Sequence, residues 1–246
     1  MAAFIWMGMT NGVAQDVDAL MEGMNVRHIG PGAMSGRVTT IDVQRDRPEV
    51  IYVGTASGGL WRSETAGVEW TALFDDQSTQ SIGAVALAPS NPDVIWVGTG
   101  EGNPRNSHSS GRGVFRSIDG GATWELMGLE GTRNIHRIVI HPNDHNTVWV
   151  GAIGTAWGDS PDRGVYKTTD GGKTWTHQLY VDERKGVADM IIYPSNPDKL
   201  LVALWSHRRA PWFFTSGGEG SGLYNTTHGG AQWQHNTDED TLSNRD

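Results

Sequence analysis

The stretch Ser117-Ile118-Asp119-Gly120-Gly121-Ala122-Thr123-Trp124 returns as Thr168-Thr169-Asp170-Gly171-Gly172-Lys173-Thr174-Trp175, and in two altered copies at residues 63–70 and 226–233. The closing tryptophans Trp70, Trp124, Trp175 and Trp233 lie 54, 51 and 58 residues apart. That period is too long for a helical-hairpin repeat and suits a four-stranded propeller blade. The phrase itself reads as a tight turn. Its paired glycines supply positive φ, and Asp119 and Asp170 can accept hydrogen bonds from turn amides. Ser117, Gly121, Thr168 and Gly172 complete this structural set, with Trp124 and Trp175 placed to plug the seams between neighbouring units.

Outward from the phrase, each unit opens on an alternating run: residues 37–43, 81–87, 135–140 and 187–192. A period of two with β-branched residues marks a strand. A turn rich in Pro, Asn and Asp follows, as in Pro89–Asp93 and Pro194–Asp198. Next comes a nearly unbroken apolar strand (50–53, 94–97, 148–150, 200–203), the pattern of a strand covered on both faces. A third strand leads into the phrase and a fourth leaves from its tryptophan. The expected fold is therefore all-β, a β-propeller of four-stranded antiparallel blades at about residues 37–74, 81–128, 135–180 and 187–236. Four wide blades do not close a ring. The reading is a fragment of a larger ring, seven-bladed or greater, with missing blades expected in the full-length chain or supplied by another copy. Val26–Pro31 reads as a ring-closing strand lent by the last blade, and residues 237–246 as a truncated polar tail.

Composition narrows the partners. A net charge of −9 with only 19 Lys and Arg offers no concentrated basic face, so nucleic acid is not an expected ligand. With no cysteine there is neither a disulfide nor a thiolate site, and the nine histidines lack ligand spacing, so no metal and no cofactor are expected. No apolar run reaches the ~20 residues of a membrane span. Residues 1–15 combine a short apolar run with Gly12 and Ala14 at a signal-peptidase-like position. They read as a signal-peptide remnant, which implies a secreted or periplasmic protein.

The phrase Ser/Thr-X-Asp-X-Gly-X-Thr-Trp resembles the Asp-box, or BNR repeat, of sialidases, xyloglucanases and sortilin/VPS10 propellers. Arg27-His-Ile-Gly-Pro31, Tyr52–Trp61, Trp96–Glu101 and Gly164–Thr168 bring the chain nearer to the bacterial sortilin-like proteins often named glycosyl hydrolase BNR-repeat proteins. The resemblance implies the propeller fold and leaves activity open, because the Asp-box is a structural turn found across unrelated functions. Xyloglucanases of this kind carry an acid just before the Gly-Gly of the first blade. Here Ala56 fills that place in Thr55-Ala56-Ser57-Gly58-Gly59. The Arg-Ile-Pro motif that sialidases use to grip a carboxylate is echoed only loosely by Arg27-His-Ile-Gly-Pro31.

In an up-and-down blade the Asp-boxes and the proline turns share one rim, which places the long loops 100–112, 154–163 and 205–220 on the other. Long loops on a rigid β scaffold carry function. Asn103, Arg105, Arg112, Trp157, Arg208, Arg209 and Trp212 there mix flat apolar faces with donors, suited to a carbohydrate or peptide ligand. The alternative is that the aromatics pack their own loops and the arginines pair with nearby acids. Glu101, Asp159 and Glu219 are the rim carboxylates to test as catalytic groups, since glycoside hydrolysis needs two carboxylates ~5–10 Å apart; loop capping and salt bridges are the competing roles. The sequence thus supports a secreted binding propeller and, as the alternative, a glycoside hydrolase acting on a polysaccharide.

Overall fold

The computed structural model describes residues 37–236. The signal remnant, the strand at 26–31 and the tail at 237–246 lie outside the described residues. The chain is all-β, folded into four antiparallel sheets. The first holds β1 (Val38–Val43), β2 (Ile51–Thr55), β3 (Leu60–Ser63) and β4 (Thr71–Ala72) in sequence order. The second holds β5 (Ile82–Ala88), β6 (Asn91–Thr99), β7 (Val114–Ser117) and β8 (Glu125–Leu126). The third holds β9 (Ile135–His141), β10 (Asp144–Ala152), β11 (Gly164–Thr168) and β12 (Thr176–Leu179). The fourth holds β13 (Lys185–Ile192), β14 (Leu200–Ala210), β16 (Gly222–Thr226) and β17 (Gln234–Asn236), with β15 (Phe213–Ser216) added along the far end of β14.

No blade has a core of its own. One apolar cluster joins Tyr52, Leu60 and Phe74 of blade 1 to Ile82, Ile95 and Phe115 of blade 2. A second joins Trp96 and Val114 to Ile135 and Val150, and a third joins Trp149 and Val165 to Val187 and Val202. Burial therefore rewards stacking of blades, as expected of a repeat array.

The Asp-box builds each seam. Ser117 Oγ accepts from Gly121 N at 2.8 Å and donates to Asp119 Oδ1 at 2.7 Å. Asp119 in turn accepts from Thr123 N and Thr123 Oγ1. Thr168, Asp170 and Thr174 repeat the arrangement. Gly120 and Gly121 sit at φ 70° and 93°, a region that a Cβ disfavours. The turn then aims its tryptophan backwards: Trp124 Nε1 donates to Leu73 O and Trp175 Nε1 to Met127 O, both carbonyls of the preceding blade.

A cation reaches forward across each seam. Arg62, Arg116 and Lys167 donate to Gly120 O, Gly171 O and Gly229 O at 3.0, 3.2 and 2.9 Å. Each stands directly across the sheet from an aromatic partner, Tyr52, Trp96 or Trp149. Nearer the axis, the inner strands are joined by Thr39 Oγ1 donating to Ile82 O and Leu87 N donating to Asp42 Oδ2. Asp42, for which the sequence offers no partner, is thus a joint between blades 1 and 2, and its burial raises its pKa.

Two outcomes follow. Trp175→Ala removes a seam plug that meets Trp96 edge-on at 6.1 Å and should cost about 3 kcal/mol in urea unfolding. Trp70→Ala, at a ring 41% exposed and bonded to its own turn, should cost less than ~1 kcal/mol. The second concerns acid. Hydrogen bonds from Thr123 and then Ser117 hold Asp119 down to about 2, and the same bonds depress Asp170. Stability from a depressed carboxylate is present above its unfolded value of 3.8 and is lost as pH falls through the folded one. The wild-type urea midpoint should therefore drop between about pH 4 and pH 2, and the Asp119→Asn, Asp170→Asn double variant should be weaker at neutral pH with a shallower drop.

Candidate functional site

Backbone bonds fix which rim is which. Gly120 N donates to Asp93 O, Gly171 N to Asn146 O and Gly229 N to Asp198 O, tying every Asp-box to the first hairpin turn of its own blade. The loops between second and third strands consequently occupy the opposite rim. The stretch 205–220 is less irregular there than its composition implies. β14 runs on to Ala210 and β15 returns, making a hairpin with Pro211 and Trp212 at its tip.

Arg163 is the hub of this rim. It is 1% exposed and forms no salt bridge among the described residues, with Asp159 and Asp182 acting on it only through their charge. Its Nη1 donates to Ile153 O at 2.8 Å and Arg184 O at 3.2 Å, and its Nη2 to Thr155 O and Gly158 O. Burial pulls its pKa down to about 10. His207, 2% exposed, presents Nδ1 to the guanidinium at 3.4 Å. Burial first, and the Arg163 charge second, push His207 down to about 3, so the neutral ring faces the cation as an acceptor.

Three further arginines bring the loops of blades 2, 3 and 4 together. Arg209 donates through its backbone N to Ala156 O at 2.7 Å, through Nε to Pro104 O at 3.2 Å and through Nη1 to Asn106 Oδ1 at 3.1 Å, and it lies over the Phe214 ring. Arg208 and Arg184 both donate to Asp159 Oδ1. The two ends of loop 100–112 are held together by Asn134, which is fully buried and donates to Glu101 O and Ser109 O, and its far end also by Gly111 N donating to Arg133 O at 2.6 Å.

The three candidate carboxylates have different surroundings. Glu101 is 0% exposed and clamped by both ends of the Arg37 fork at 2.7 and 2.6 Å, bonds that raise the Arg37 pKa against the effect of burial. Asp159 is shared by two guanidiniums. Glu219 is exposed, with no hydrogen bond or ion pair among the described residues. Ala56 is 2% exposed and its amide donates to Arg37 O, so a buried methyl stands where the resemblance to xyloglucanases calls for an acid. Among the described residues no group of three or more His, Cys, Asp or Glu could hold a metal ion, and no helix is long and apolar enough to cross a membrane.

Of the candidate ligand contacts, Trp157 (41% exposed) and Trp212 (82%) face solvent from loops that Arg163 and Arg209 hold. Arg208 and Arg209 are occupied within the rim, whereas Asn103, Arg105 and Arg112 are exposed on the loop of blade 2. Arg163 and His207 escaped the sequence reading. The available signal was the repeat: Arg112 and Arg163 both precede a Gly-Val-aromatic run.

The family model described as sortilin, neurotensin receptor 3 matches residues 58–180 and 112–243, more than half of the chain. The chain belongs to the sortilin/Vps10 family. A xyloglucanase of Paenibacillus sp is 27% identical over 164 residues, covering 61% of this chain and 15% of its own length. An oligoxyloglucan-reducing end-specific xyloglucanase of Emericella nidulans is 24% identical over 212 residues, covering 81% and 24%. The crystal structure of an ancestral GH74 enzyme superposes with a TM-score of 0.61 at 22% identity, over 82% of this chain and 25% of that one, a likeness of fold. The chain spans a quarter or less of the length of these relatives.

Arg163→Ala should leave the buried Ile153 carbonyl and three part-buried ones without this donor and cost about 1–3 kcal/mol in urea unfolding. It should also open the 205–220 hairpin to limited proteolysis. Arg112→Ala, at the same repeat position but in solvent, should change stability by less than ~0.5 kcal/mol.

Proposed function

We propose that the long-loop rim is a carbohydrate-binding site and that the chain is the recognising part of a propeller working outside the cytoplasm. The observation that carries this reading is the hairpin tip. Trp212 and Phe213, 82% and 48% exposed with centroids 6.3 Å apart, stand on a hairpin fastened to its neighbours through Arg209 and, at His207, through Arg163. Large aromatic faces held rigidly in water bind at little entropic cost. The polysaccharide substrates named for the relatives support a sugar over a peptide, and they fit a secreted or periplasmic setting. We read the four blades as an arc of a larger ring whose further blades complete the assembly.

A glycoside hydrolase is the second reading, favoured by those same relatives. Against it stand the engagement of Glu101 with Arg37, the sharing of Asp159 by two arginines and the methyl of Ala56. Titration calorimetry over a panel of oligosaccharides, xyloglucan fragments included, tests the binding reading. Trp212→Ala should weaken the bound sugar at least about tenfold, ~1.4 kcal/mol, without moving the melting temperature. A panel without any bound saccharide would sink the proposal, and release of reducing ends would favour the hydrolase.

A further inference from the structure

Most of the described arginines are engaged: Arg37, Arg47, Arg62, Arg137, Arg184 and Arg208 with carboxylates, and Arg116, Arg163 and Arg209 through hydrogen bonds. Arg45 lies on the turn rim, close enough to Asp42 to lower its pKa. The exceptions are Arg105, Arg112 and Arg133. All three side chains are exposed and lack a hydrogen bond or ion pair among the described residues. All three belong to one place, the blade 2 loop and the linker beside it, where Gly111 N meets Arg133 O.

Two further guanidiniums border that loop. Arg209 holds it at Pro104 and Asn106, and Arg37, 27% exposed, lies at Glu101. His108 of the same loop is held below its ordinary pKa by burial foremost and by the charges of both Arg37 and Arg209. Arg133 adds backbone strain. It sits at φ 64° and ψ −51°, outside the comfortable range for a side-chain-bearing residue, a strain that the neighbouring bonds of Asn134 and Gly111 sustain. On a chain of net charge −9, these exposed cations make a local positive patch.

We infer that this arginine cluster reads the carboxylates of an acidic saccharide bound on the rim, a uronate-bearing oligosaccharide. The inference rests on the carbohydrate reading above. A guanidinium fork matches a carboxylate with two parallel hydrogen bonds, and the hairpin carrying Trp212 and Phe213 is tied to the same loop by Arg209. A ring face and an acid on one sugar meet both features at once.

The probe is oligogalacturonate, compared with its methyl ester, which keeps the sugar chain and removes the charge, and with oligoglutamate. The full chain should bind the acid form at least about tenfold tighter than the ester at ~50 mM salt, and the gap should shrink at ~500 mM. Arg105→Gln, Arg112→Gln and Arg133→Gln combined should close the gap and leave the melting temperature in place, because these side chains hold nothing among the described residues. Trp212→Ala should weaken both forms alike. Equal binding of acid and ester overturns the inference while leaving the rim a sugar site. Oligoglutamate binding as tightly as the uronate overturns it in favour of an acidic peptide, and absence of any saccharide binding overturns both readings.

Discussion

Everything else in this molecule depends on the seam between consecutive blades. A blade is four short strands with apolar residues on both faces, and alone it would leave them in water. At each seam the inner strand of the next blade passes so close to the second strand that only glycine fits. A Cβ on Gly54, Gly98 or Gly151 would lie 2.6, 2.4 or 2.6 Å from Ile82, Ile135 or Val187. That approach lets Tyr52, Trp96 and Trp149 bury fully or nearly so, and it brings the Asp-box of the following blade within reach of Arg62, Arg116 and Lys167. Area, shape and charge are satisfied by one geometry.

The rim inherits its rigidity from that stacking. With the blades fixed in register, loops of three different blades are delivered to a common edge, and a few arginines suffice to bind them into one surface. Arg163 does this without a salt bridge among the described residues. Carbonyls from its own loop and from the 180–185 linker take the place of a carboxylate, and neutral His207 completes the ring of acceptors. A carboxylate at that depth would need partners of its own to offset desolvation. Peptide oxygens are already present and carry only partial charge, so a buried cation is tolerated with its pKa lowered.

The all-β repeat was legible because its signals are local: a glycine pair at positive φ, a hydroxyl two residues before an aspartate, a tryptophan at a fixed distance. The site was legible only as a set of loops. Arg112 and Arg163 share a repeat position, yet one is exposed and the other 1% exposed, because the loop of blade 3 wraps Arg163 with its own carbonyls while that of blade 2 is held by Asn134 instead. Glu101 reads in sequence as a rim acid that is either catalytic or salt-bridged, with no partner identifiable. Its partner, Arg37, is 64 residues away and meets it only because blade 1 stacks on blade 2. The β14–β15 hairpin has no alternating pattern to announce it, since Phe213–Ser216 is exposed along its whole length.

The fourth blade departs from this seam chemistry at several linked positions. Where three blades place glycine opposite the inner strand, Ala203 stands opposite Asp189 in the same register. Where three blades pair an aromatic with a cation across the sheet, Leu201 pairs with Asn225. Together with Ile191 and Tyr193, Leu201 and Asn225 line a cavity of about 320 Å³, and Asn225 Oδ1 is buried there without a hydrogen-bond partner among the described residues. Both changes fall at the positions that make the other seams: Ala203 carries a methyl where the close approach uses glycine, and Asn225 stands where Arg or Lys carries the forward charge. The outgoing face of blade 4 is therefore chemically unlike the three faces before it, although its backbone repeats theirs. The rim does not depend on that face, because the arginines that assemble it act on loops of blades 2, 3 and 4, whose seams are complete.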